Sequence, residues 1–135
     1  MYNHSALSQY QKVGLESKIA ASNPHGLVAM LLDGALEKLA RASGFIERGD
    51  VSAQGAAISG AINIIDSLRA SLDIDKGGEI AQGLNSLYDY MERSLLEASA
   101  KNDLAKLDEV LTLLRSVKEG WDGIREEAIG QQAAG

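Results

Sequence analysis

The sequence predicts an all-α fold: an antiparallel up-and-down four-helix bundle preceded by a short N-terminal helix or arm. Three observations point there. Apolar residues recur at three- and four-residue intervals along four long stretches, alternating runs of Val, Ile and Thr are missing, and the single proline stands at a helix start. Short links join the stretches, which returns consecutive helices antiparallel. With 135 residues, 45% hydrophobic and 24% charged, the chain suits one domain whose core hides about two-thirds of the unfolded chain's surface. The expected divisions are an arm or short helix over residues 1–21, the bundle over 22–129, and a disordered tail over 130–135.

In the first segment Tyr2, Ala6, Tyr10 and Val13 share one helical side, while Leu15 and Ile19 sit on another. Such a split stripe reads either as a loosely attached cover or as an ordinary first helix. Asn23 can cap and Pro24 fits a first helical position, so a helix should run from Pro24 to about Gly49. Its apolar residues, from Leu27 and Val28 through Leu31, Leu32 and Leu36 to Phe45 and Ile46, spread over roughly half the circumference. Either two neighbouring helices or a partner must cover so wide an arc.

Gly49 and Asp50 make a turn, and a second bundle helix should follow from about Val51 to Leu72. Its first half is thin, with Ala53, Gly55, Ala56 and Gly60, so another backbone can approach closely from within the bundle or from a foreign helix. After a connection over Asp73 to Gly78, the stretch Gly77 to Ala98 places Ile80, Leu84, Leu87, Tyr88, Met91, Leu95 and Ala98 on one narrow face. One stripe predicts one buried seam. The last helix should start after Asp103, a candidate cap, and run to about Ala128 with Leu107, Val110, Leu111, Leu114, Val117, Trp121 and Ile124 inward.

Thirteen Lys and Arg against nineteen Asp and Glu give a net charge of −6, with no basic run to neutralise phosphates, which excludes nucleic acid as a partner. Without cysteine there is no disulfide and no thiolate metal site. The amino terminus lacks a signal's apolar centre and no window reaches the roughly 20 apolar residues of a membrane span, so a cytoplasmic protein without membrane insertion is expected. His4 and His25 form no Glu-x-x-His pair, so neither a metal nor another cofactor is expected. Asp73, Asp75 and Gly78 mimic the first, third and sixth positions of a calcium loop, but Leu84 stands at the twelfth, where the bidentate carboxylate belongs. Serines 43, 59, 67 and 86 have no His and Asp partners in view, so catalysis is not expected.

Several motifs occur in a telling order: Tyr10-x-x-Val13, Asn23-Pro24-x-x-Leu27-x-x-Met30-Leu31-Leu32-Asp33-Gly34-Ala35, Ile64-Ile65-x-x-Leu68, Leu87-Tyr88-Asp89-Tyr90-Met91, Glu97-Ala98 to Asn102-Asp103, and Trp121. Over about Tyr10 to Ile124 the chain resembles the FliS family, the flagellin-specific export chaperones of bacterial flagellar secretion. One departure is Leu32, where the family often carries tyrosine. The resemblance implies an antiparallel helical bundle that binds the disordered carboxy-terminal segment of flagellin, prevents premature polymerisation and delivers it to the soluble domain of the membrane export gate. Tyr10 and Val13 enter as client-binding candidates by motif match. Leu31, Leu32, Ile62, Ile65 and Tyr88 join them from the stripes, with burial in the bundle core as the competing reading for each. The arm would then cover apolar surface in the empty protein and yield to the client. The alternative is a purely structural or regulatory homodimeric bundle with no secretion client.

Overall fold

Gly49 and Asn102, both at positive φ, mark two of the breaks between helices. The structure is a computed structural model that describes residues 24–134, with side chains described as far as Ile124. It contains α1 (Pro24–Arg48), α2 (Val51–Ala70), α3 (Ile74–Lys101) and α4 (Leu104–Ala134), and no strand among the described residues. Gly49 adopts φ +72°, a conformation glycine reaches without strain, and the Asp50 N–H donates to the Phe45 carbonyl at 2.9 Å to close the end of α1. The Asp50 carboxylate then accepts from the Ala53 N–H at 3.2 Å and starts α2. At the break between α3 and α4 Asn102 takes a left-handed conformation, the Asp103 N–H reaches back to the Ala98 carbonyl at 2.9 Å, and the Asp103 carboxylate caps α4 through the Lys106 N–H at 3.1 Å.

The expected connection over Asp73 to Gly78 is corrected. Asp73 accepts from the Lys76 N–H at 3.1 Å and nucleates a turn from Ile74, which breaks at Gly78, where φ is 53° and ψ −131°. That backbone region is essentially closed to residues with a Cβ. The carboxylate that mimicked a calcium ligand serves as a helix cap. At the far end α4 continues past Ala128, where the sequence placed its end.

Each helix packs against two others: α1 against α2 and α4, and α3 against α2 and α4. α1 and α2 pack with ordinary spacing at Gly34, where an added Cβ would lie 3.6 Å from the Ile64 Cδ1. The wide arc of α1 is shared between its two neighbours, leaving Leu27, Val28, Leu31 and Leu36 half-buried. Leu32, Leu39, Ile58, Ile65, Met91, Leu95, Leu107 and Leu114 form the centre of the core. Their burial, at about 1.5–3 kcal/mol each, is the main force holding the helices together.

Polar ties fix the register. The Gln54 side chain, 1% exposed, donates to the Ser99 carbonyl at 3.3 Å and joins the start of α2 to the end of α3. Lys118 on α4 contacts Asp33 on α1 at 3.1 Å and Asp122 at 2.8 Å; the Asp122 hydrogen bond, ahead of the Asp33 bond, raises its pKa above the ordinary lysine value. Two stripe residues contradict the sequence expectation: Ile80 is 78% exposed and Ile124 55% exposed. Stripe position fixes the direction of a side chain, but among the described residues these two border an open groove and not a close-packed neighbour. The arm, including Tyr10 and Val13, and the Asn23 cap lie outside the described residues.

Candidate functional site

An open groove of about 590 Å³ lies where α1 and α3 begin and α2 and α4 come to an end or run out past the core. Val28, Leu68, Ala81, Leu84, Tyr88 and Val117 line it, and the exposed Ile80 and Ile124 also face it, from α3 and α4. Few polar residues share the lining, chiefly Asp73 and Lys76 on the short turn before Gly78. The lining is chiefly apolar. It can bury an apolar surface brought from outside, which is how grooves take up amphipathic helices.

Trp121 contributes another wall and is held from α1. Its indole N–H donates to the His25 carbonyl at 2.9 Å, the His25 Nε2–H donates to the Trp121 carbonyl at 2.7 Å, and the rings stack with centroids 4.0 Å apart at 17°. Because Nε2 donates to a carbonyl, that nitrogen carries the proton. On α3, Tyr88 is 3% exposed, and burial pushes its hydroxyl above the usual tyrosine pKa, so it remains neutral at physiological pH.

Alongside the groove, Arg69 ties α2 to α3. Its guanidinium donates to Asn85 at 2.8 Å, Asp89 at 3.2 Å and Glu92 at 3.1 Å. These partners recur at three- and four-residue intervals on one face of α3, so a single arginine spans two helical turns.

The five described candidates from the sequence separate. Leu32 and Ile65 are wholly buried in the core, Leu31 and Ile62 are half-buried against it, and only Tyr88 lines the groove. Sequence reasoning missed Ile80, Ile124 and Trp121 as groove residues by assigning them to the core. The signal was present: the up-and-down course expected from the short links would bring the first stripe residue of α3 and the last of α4 to the same end.

Among the described residues, no cluster of three or more His, Cys, Asp or Glu could hold a metal, and no helix is long and apolar enough to cross a membrane.

Residues 6–128 match the family model described as flagellar protein FliS. The chain is similar to the flagellar secretion chaperone FliSB of Pseudomonas aeruginosa, with 48% identity over 92% of this chain and 98% of that protein. It is also 48% identical to the flagellar secretion chaperone FliS of Salmonella typhimurium, over 98% and 99% of the two chains. Similarity extends to the flagellar secretion chaperone FliS of Bacillus subtilis, at 29% identity over 78% of each.

Proposed function

The chain belongs to the FliS family of flagellar proteins, whose relatives are named secretion chaperones and not enzymes, and from that premise we propose that it is a cytoplasmic export chaperone for flagellin. It binds the disordered carboxy-terminal segment of flagellin, prevents premature polymerisation, and delivers it to the soluble domain of the flagellar type III export gate. The observation that carries this reading is the apolar groove with Ile80 and Ile124 left exposed beside it. A disordered apolar segment that folds on binding can cover such a surface at an ordering cost of about 2–5 kcal/mol.

In the same reading the molecule is one domain of four antiparallel helices, preceded by an arm. Contacts between the start of one helix and the end of its neighbour support that course: Gln54 with Ser99, and His25 with Trp121. Tyr10 and Val13 cover apolar surface in the empty protein and are displaced by the client. Leu31, Ile62 and Tyr88 contribute to the client-binding surface, while Leu32 and Ile65 act on it from beneath.

Titration with a flagellin carboxy-terminal peptide tests the proposal. Helicity gained by the peptide at stoichiometric mixing supports it. No gain, with sedimentation showing a stable dimer, would favour the structural homodimer. Deleting residues 1–15 should tighten binding, and the arm in the full chain should become more protease-sensitive when client is added.

A further inference from the structure

Trp121 is the chain's one tryptophan, and it meets a histidine from the opposite end of the sequence through contacts more specific than apolar packing requires. Two hydrogen bonds run in opposite directions between the pair, each from a ring N–H to the other residue's backbone carbonyl, while the rings stack. The stack sets the plane of the indole, and the two bonds set its position along α1 and α4. Trp121 also lines the groove, as does Val28, one turn beyond His25. One indole face is occupied by the imidazole, part of the side chain packs against the core, and what remains borders the groove.

We propose that His25 is a positioning residue for client binding: by clasping Trp121 it holds the indole as a rigid wall of the groove before the client arrives. This rests on the export-chaperone reading and assigns the groove lined by Trp121 and Tyr88 to the surface where the client docks. A fixed aromatic wall contributes large contact area without ordering cost, whereas a free indole must be immobilised on binding. Both the stack and the Nε2–H bond contribute to the positioning. Glutamine, whose amide nitrogen has a reach similar to that of the imidazole Nε2, restores the donor without the ring.

The test uses the full chain and a tryptophan-free flagellin carboxy-terminal peptide, with binding followed by Trp121 fluorescence and by peptide helicity. In the wild-type chain both signals should report one affinity, with Trp121 emission moving to shorter wavelength as the indole loses water. His25→Ala should weaken binding roughly tenfold, and His25→Gln should recover more than half of that loss on a logarithmic scale. Gln54→Ala is the control, because it removes a tie at the other end of the bundle; it should lower thermal stability and leave affinity unchanged.

Wild-type affinity in His25→Ala overturns the proposal. So does an equal loss in His25→Ala, His25→Gln and Gln54→Ala, which reduces the effect to general stability. Peptide helicity gained without any change at Trp121 places the client elsewhere and overturns the proposal while the chaperone reading stands. Failure of both signals removes the chaperone reading itself.

Discussion

Arg69 donates to Glu92 across the seam of α2 and α3 at 3.1 Å, yet the Glu92 carboxyl has a raised pKa. Burial is the largest cause, opposed by the arginine and reinforced by the nearby Asp66 carboxylate. For a carboxyl raised on folding, the native state holds its proton more tightly than the unfolded chain. The contribution to stability therefore falls as pH rises from the ordinary glutamate value through the raised one, and is level above it. Glu92→Gln should match wild type near pH 4 and gain on it through that window, measured by urea denaturation at a series of pH values.

Glu97 should behave oppositely. Lys101 and then Lys106 lower its pKa, so its small contribution is present above the ordinary value and fades as pH falls through the lowered one. It is an exposed group, and Glu97→Gln should lose its effect in high salt, checked by thermal midpoints with and without added sodium chloride.

Gly78→Ala should destabilise the protein by about 1–3 kcal/mol, because its φ of 53° and ψ of −131° are strained for any residue with a Cβ. Gly83→Ala, five residues along the same helix with no atom within 4 Å of the added carbon, should stabilise by about 0.5–1 kcal/mol. Denaturant midpoints of the two variants measure this contrast.

Ile80→Ser and Ile124→Ser should leave stability within about 0.5 kcal/mol of wild type, since both residues are already mostly in water. Together they should weaken flagellin-peptide binding tenfold or more, because the double variant removes two aliphatic contacts from beside the groove. Calorimetric titration alongside thermal melts separates the two effects.

Ile65→Ala makes the opposite pairing. Ile65 has no exposure, and its truncation should cost about 2–5 kcal/mol of stability, read from urea unfolding. Any change in client affinity should then follow the loss of structure.

Much of the fold was legible because its signals are local. Pro24 opens α1, Gly49 with Asp50 turns the chain, and Asp103 caps α4; each acts through backbone groups a few residues away. The stripes identified Leu39, Met91, Leu95 and Leu114 as inward residues for the same reason. Ile80 and Ile124 were misplaced because a stripe gives direction around a helix and says nothing of whether a neighbour packs closely there or leaves a groove. Partnerships between remote residues were hidden altogether. Gln54 finds its partner in the Ser99 carbonyl 45 positions away, and His25 finds its own in Trp121, 96 positions away. Of the candidate site, only Tyr88 among the described nominations lines the groove, because the widest apolar arc, on α1, is taken up by two neighbours.

The buried Gln54 tie makes the two poles of the molecule unequal. Amides near the Ser99 pole should exchange with deuterium only when the whole protein opens, while those of Ile80 and Ala81 should exchange through shallow, frequent fraying. Such a gradient would let one extremity yield to a visitor while the other keeps the chain's shape, so reception and endurance reside in separate halves of one small scaffold.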